Sequence, residues 1–286
     1  LGFGNGWEPY PSSLRIVNWI KWFLLDLNLN NNVNQMWLDS LVIQTRFLSQ
    51  NLEYHLLGNH LFANAKALVF AGLFFKEEEA DHWYQLGISI INRELSEQVL
   101  SDGGNFELSP MYHAIFLEDL LDLVNIHQAY NRSFPDNLEN KIVQMLEWLK
   151  VMSHPDKEIA FFNDSALGIA PSFVELLSYS DRLSLVFKNN QVNRLTHLKE
   201  SGYIRVEDEN MVIIADVADI GPDYIPGHGH ADALSFELSL FGKRVIVNSG
   251  ISTYEIGIDR YKQRSTELHS TITIDNQNSS EVWSGF

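Results

Sequence analysis

The chain changes its hydrophobic period once, after about two thirds of its length. In the first part apolar residues recur at helical spacing. Behind the start signal Pro11, Ser12 and Ser13, the residues Leu14, Val17, Ile20, Trp22, Leu24 and Leu25 predict a first helix. The same pattern predicts helices over 36–48, 56–75, 83–100, 111–126 and 138–152, with an Asn-rich loop over 28–34. Glu77, Glu78 and Glu79 sit where acidic side chains complement the positive end of a helix. Helices of similar length, joined by short loops, have to stack on one another to bury their apolar faces.

From about Tyr203 the period becomes two. The run 211–217 is an apolar strand candidate. In 235–241, Phe236, Leu238 and Leu240 fall on one face, and Gly242 with Lys243 turns the chain into a strand over 244–248. Thr271, Ile272, Thr273 and Ile274 predict another strand, closed by Asp275 and Asn276. This pattern predicts an antiparallel sheet. The change falls within 180–200, near Lys188, Asn189, Asn190 and Gln191. The reading is therefore an α+β chain, with a helical domain over 1–190 and a partial antiparallel β domain over 191–286. The strands are few for a complete sandwich, and both termini are abrupt, so an internal piece of a longer protein is expected.

Composition narrows the function classes. The 286 residues are 45% hydrophobic and 12% aromatic, ample for substantial cores. The net charge of −17 argues against a nucleic-acid partner, which needs a basic face. An acidic ligand would have to be held by local Arg, Asn and His groups. There is no cysteine, hence no disulfide framework and no thiol nucleophile. No apolar run reaches the roughly 18 residues of a membrane span.

Four clusters carry candidate chemistry. Gly58, Asn59 and His60 open the alanine-rich helix, where Asn59 also reads as a plain N-cap. Gly103, Gly104, Ser109 and Pro110 shape a loop that places Tyr112 and His113 in the first turn of the next helix. There the helix dipole is expected to favour a tyrosinate, although Tyr112 could also simply pack on the loop. In Pro226, Gly227, His228, Gly229, His230, Ala231 and Asp232, the two histidines share a side if the segment is extended. They suit acid–base or metal chemistry. Finally, Arg264 could grip a carboxylate, and His269 alternates away from Ile272 and Ile274. Trp7 and Tyr10, in a Gly/Pro loop, are the best candidates for stacking on sugars.

Together these segments resemble the heparinase II/III family. The matching stretches are Asn5-Gly6-Trp7-Glu8-Pro9-Tyr10-Pro11, Gly58-Asn59-His60-Leu61, Phe106 through His113, His228-Gly229-His230-Ala231-Asp232-Ala233, and Arg264 through Thr271. They occur in the family's order, and the likeness is greatest to members encoded with bacterial capsule or envelope polysaccharide genes. The resemblance implies an incomplete (α/α) toroid of helical hairpins followed by an antiparallel β-sheet (sandwich) domain. It implies a polysaccharide lyase that cleaves a uronic-acid-containing glycan by β-elimination. Asn59 then matches the residue that neutralises the uronate carboxylate, His60 its neighbouring histidine, Tyr112 the catalytic tyrosine, and His228 the histidine of the β part. Substrate contacts are expected from Trp7, Tyr10, His113 and Arg264. His230 matches a metal ligand whose partners fall at Asn248 and His269, for a structural zinc or calcium and with no cofactor required. The family's usual acidic residue at the middle position is Asn248 here. The partner implied is an acidic polysaccharide, with no nucleic acid and no membrane span, in the periplasm or envelope of a bacterium. The absence of cysteine fits the cytoplasm equally. Two other readings stay open: a glycoside hydrolase on a similar toroid, using Glu107, Glu118 or Asp119, and a non-catalytic glycan-binding or polysaccharide-assembly protein.

Overall fold

The computed structural model describes residues 2–29, 34–135, 137–188 and 192–285. Six long helices occupy the first part: α1 (Pro9–Leu29), α2 (Gln35–Gln50), α3 (Gly58–Phe74), α4 (Glu78–Gln98), α5 (Pro110–Ala129) and α6 (Leu138–Val151). A shorter α7 (Phe173–Arg182) precedes the sheet, and α8 (Ile258–Arg264) follows it. Most of the predicted Asn-rich loop, 30–33, lies outside the described residues, and so does the predicted domain boundary at 190–191. No helix among the described residues is long and apolar enough to cross a membrane.

The chain forms two compact units, the first comprising Leu1–Ser96 with Asp122–Asp136 and the second Glu97–Leu121 with Asn137–Phe286. In the first unit, Ile16, Ile20 and Phe23 of α1, Leu41 and Leu48 of α2, and Leu61, Phe62, Leu68 and Val69 of α3 are buried. Helices α3 and α4 approach too closely for any side chain at two points. A Cβ at Gly72 would lie 2.6 Å from the backbone nitrogen of Tyr84, and one at Gly87 would lie 2.7 Å from the Ala65 carbonyl. Beneath this contact, the buried Lys66 meets Asp122 at 2.5 Å, and Lys21 meets the same carboxylate at 2.6 Å.

The second unit holds one five-stranded antiparallel meander: β1 (Leu195–Leu198), β2 (Tyr203–Asp208), β3 (Met211–Asp216), β4 (Phe236–Leu240) and β5 (Lys243–Ile246). Adjacent strands follow one another in the chain, with Ile214 opposite Arg205 and Glu237. A bulge at Leu238 and Ser239 shifts the last pairing. Tyr203, Arg205, Val212, Ile214, Asp216, Glu237 and Ser239 are all buried.

Phe236, Leu238 and Leu240 share one face of β4, as expected, but they are only half-buried, and the buried face carries Glu237 and Ser239. Glu237 faces inward because it is a hub: its carboxylate meets His154 Nε2 at 2.8 Å and accepts from the Phe161 and Asn248 amides. Residues 271–274 form no strand; only an isolated bridge joins Ile274 and Gln277. The parity argument at His269 inverts with it, since His269 is buried while Ile272 and Ile274 are exposed.

Candidate active site

The second unit gathers Tyr112 and His228. Pro110 starts α5, and Ser109 links that start to the 163–165 loop: its hydroxyl donates to the Asp164 carbonyl at 2.6 Å and accepts from the Tyr112 amide at 3.2 Å. The Tyr112 and His228 rings lie 4.0 Å apart between centroids, tilted by 34°. The Tyr112 hydroxyl meets that of Tyr254 at 2.9 Å. His228 Nδ1 lies 2.8 Å from Asp164, and its Nε2 lies 3.9 Å from the buried Glu107 carboxylate.

Asp164 is the hub of this cluster. Besides His228 it takes His230 Nε2 at 2.8 Å and both terminal nitrogens of Arg260 at 2.5 and 2.8 Å. The Arg260 guanidinium in turn lies 5.1 Å over the Tyr254 ring. Burial alone would push the Asp164 carboxyl up, but hydrogen bonds from His228, His230 and Arg260 outweigh it and hold the group well below the usual carboxylate range. Tyr112 moves the other way. Burial first, then Tyr254, then the charges of Asp164 and Glu107 raise its phenol well above the ordinary value. This corrects the expected tyrosinate: desolvation and two nearby carboxylates outweigh the helix dipole, and Tyr112 rests protonated.

The glycine between the two histidines has a steric cause. A Cβ at Gly229 would lie 2.7 Å from the Ile220 carbonyl, so the 226–230 turn can pass only without a side chain. Pro226–His228 is a 3-10 turn rather than a strand, yet both histidines still reach one carboxylate. Leu108 (φ 56) and Leu234 (φ 62), in the loops on either side, adopt left-handed backbone that costs a leucine about 1–3 kcal/mol. Asn163 ties the loops together, donating to the Leu108 carbonyl at 3.0 Å and accepting from the His230 amide at 2.9 Å.

Two expected substrate contacts are structural instead. His113 is fully buried and stacks on Trp148 at 4.2 Å. Its Nε2 donates to the Met145 carbonyl and its Nδ1 accepts from the Asn105 amide. Burial lowers its pKa to about 3, so it stays neutral. Arg264 is 1% exposed and spends its donors on the carbonyls of Pro226, Gly229, Trp283 and Gly285. Its charge fastens the 226–229 turn to the C-terminal segment.

The expected metal residues lie near one another without forming a complete set. His230 Nδ1 and His269 Nε2 are 3.0 Å apart, and their outer nitrogens are tied to Asp164 and to the Ser265 carbonyl. Asn248 Oδ1 accepts from the Ser270 amide at 3.2 Å. Among the described residues no group of three His, Cys, Asp or Glu is gathered to hold a metal. Two imidazoles and an amide whose oxygen already accepts from Ser270 bring no anionic ligand, so this set does not fit a structural zinc or calcium.

Asp232 also turns away from that role. It is buried beside Asp216, and the two carboxyls hydrogen-bond. Burial first, and the charge of Asp232 second, hold Asp216 well above its ordinary 3.8. A carboxyl raised by folding contributes stability in acid, and that contribution is lost as pH rises from 3.8 through the folded value. Asp216→Asn keeps the oxygen that accepts from the Ala218 amide. The variant is expected to melt with the wild type in acid and above it at about pH 9. Equal melting at both would contradict a shared proton.

The first unit holds a separate cluster. Leu57 (φ 59) bends the chain into α3 and leaves Asn59 and His60 half-exposed on its first turn. Tyr10 lies over the His60 ring at 4.5 Å, and Trp7 packs edge-on against Phe47 at 5.2 Å. His60 Nδ1 is 3.2 Å from the buried Glu53, which also accepts from Asn64 at 3.0 Å. Burial pushes Glu53 up, but the bonds from His60 and Asn64 win and leave its carboxyl lowered.

Sequence reasoning missed Asp164, Arg260, Tyr254 and Glu53. Asp164 and Arg260 are separated by 96 residues, and neither stands in a motif that would mark it. The one available signal was the Asn163, Asp164, Ser165 run, polar and yet buried among apolar neighbours.

Comparison with known proteins agrees with this architecture. The family model for the heparinase II/III N-terminus matches residues 4–193, and that for the heparinase II/III-like C-terminal domain matches 190–286. The chain therefore belongs to the heparinase II/III family. It is 29% identical to a heparin-sulfate lyase of Bacteroides stercoris over 95% of its own length and 44% of the relative's. A heparan sulfate lyase from Pedobacter heparinus superposes with a TM-score of 0.72 at 25% identity, over 98% of this chain and 47% of that one. A heparinase III structure gives a TM-score of 0.81 at 23% identity, over 95% and 48%, a likeness of fold. The chain thus spans about half the length of the relatives it matches.

Proposed function

We propose that this chain carries catalytic residues of a polysaccharide lyase acting on a uronic-acid-containing glycan by β-elimination. The observation that carries the reading is the Tyr112–His228 pair, stacked at 4.0 Å with the histidine backed by an ionised carboxylate and the tyrosine protonated. An elimination needs a base and an acid: a histidine whose Nδ1 donates to a carboxylate offers Nε2 as the base, and a phenol is an acid. His228 takes the C5 proton of the uronate, the electron pair forms the C4–C5 double bond, and the C4–O bond breaks. Tyr112 delivers its proton to the leaving oxygen. The developing aci-carboxylate needs donors, a role that the family resemblance gives to Asn59 and His60. Such oxyanion-type donors are each worth on the order of 100-fold or more in rate.

The hydrolase alternative needs two carboxyl groups acting as acid and as base or nucleophile. Glu107 lies beside His228, but Asp164, its nearest rival, is locked by four donors and held ionised. That favours elimination. The names of the relatives point to heparin-type glycans, so heparan sulfate is the first substrate proposed, with the bacterial periplasm or envelope as the setting. Incubation with heparan sulfate, hyaluronan, alginate and a bacterial capsule extract, followed by the ultraviolet absorbance of unsaturated uronate, tests this. A rise with at least one glycan is expected. Binding without any rise in absorbance would overturn the reading.

A further inference from the structure

The Asp164–Arg260 ion pair is all but fully buried and costs desolvation. Breaking one partner of such a pair is expensive, so its presence calls for a reason beyond packing. The reason lies in what each member holds. Asp164 is paired through both of its oxygens with the Arg260 guanidinium, so it meets its other neighbours as an acceptor. Its contact with His228 Nδ1 at 2.8 Å can therefore be a hydrogen bond only if Nδ1 carries the proton. In the neutral ring the lone pair then sits on Nε2, the nitrogen on the Glu107 side of the ring. Arg260 neutralises Asp164 through two hydrogen bonds and extends its guanidinium over Tyr254, whose hydroxyl meets that of Tyr112. One ion pair thus reaches both members of the proton-transfer pair.

We propose that Asp164 is a positioning residue, held by Arg260, which fixes His228 as the Nδ1–H tautomer and so makes Nε2 the basic nitrogen. The inference rests on the elimination reading for its kinetic consequence, but the tautomer stands independently of any substrate. Asp164 touches no reacting atom. It acts as the orienting carboxylate acts behind other catalytic histidines, where replacing the acid by an amide inverts the tautomer.

Asp164→Asn tests it, because the amide can present N–H to Nδ1 and drive the proton to Nε2. The expected result is a fall in kcat on the order of 1,000-fold or more, with KM changed by less than about threefold. A purely structural loss would instead lower the active fraction and the melting temperature without a change of tautomer. The variant removes a buried charge beside Arg260, so a second measurement keeps the test open should it fail to fold. Nitrogen–proton correlation NMR on the unaltered full chain reads the tautomer directly, with the His228 signals assigned by difference from His228→Gln. The proton of the neutral ring is expected on Nδ1, with Nε2 unprotonated. His228 found as the Nε2–H tautomer would overturn the proposal, as would unchanged kcat in folded Asp164→Asn. A chain that eliminates no glycan yet shows the Nδ1–H tautomer would sink the proposed reaction and leave the positioning role intact.

Discussion

Tyr112→Phe is expected to abolish elimination while leaving the protein folded and able to bind glycan. The substitution removes one hydroxyl, whose partner is the Tyr254 hydroxyl at the half-exposed edge of the site, so the stability cost is about 1 kcal/mol. The ring remains, and with it the 4.0 Å stack on His228. In the proposed elimination, what disappears is the proton for the leaving oxygen. Positioned acid–base groups contribute roughly 100- to 10,000-fold, and the loss should fall on kcat rather than KM. Steady-state rates of unsaturated uronate formation, with glycan affinity measured separately, check it. Turnover within about tenfold of wild type would remove Tyr112 from the chemistry.

The largest effect on stability is expected from Glu237→Ala. This carboxylate is fully buried and serves His154, two backbone amides and the edge of the Arg244 guanidinium. Removing it strands those donors in the interior of the sheet, a cost of about 3–5 kcal/mol for breaking a buried pair. Glu237→Gln restores an acceptor for the amides but sets its NH2 against both His154 and Arg244, and should fall between. Urea unfolding of the three proteins gives the order. A loss below about 1 kcal/mol in Glu237→Ala would mean that water replaces the carboxylate, and that the hub does not hold the 237–248 region in place.

The same residue shows where a sequence can be read and where it misleads. Helix α3 follows from its apolar run because its burial is all but complete, and hydrophobicity alone reports it. Strand β4 alternates equally cleanly, yet its polar set faces inward. Alternation identifies a strand; it does not say which face is covered when the inward face is built from a hydrogen-bonded network. The 271–274 run alternates too, but without strand partners among the described residues it does not become a strand. Helix α8 is too short to display a period, and it carries Arg260.

The candidate residues divide in the same way. Tyr112, His228, Asn59 and His60 stood out because glycines and prolines shaped the loops around them. Their supports did not stand out. Asp164 reaches His228 across 64 positions, and Glu53 reaches His60 across seven, from segments with no regular period. His113 and Arg264 misled for the opposite reason. They sit beside conspicuous neighbours, but the local fold turns them inward, one to stack on Trp148 and the other to fasten carbonyl groups. Sequence neighbours share a loop, whereas a catalytic pair needs an acceptor behind it, and only the fold supplies that.

The central claim is that the glycosidic bond breaks without water. Mass spectrometry of the products from heparan sulfate oligosaccharides of known mass tests this most directly. Elimination predicts product pairs whose masses sum to that of the substrate, with the uronate-ended fragment lighter than its hydrolytic counterpart by one water. Product pairs that sum to the substrate plus one water would contradict the account and establish a hydrolase.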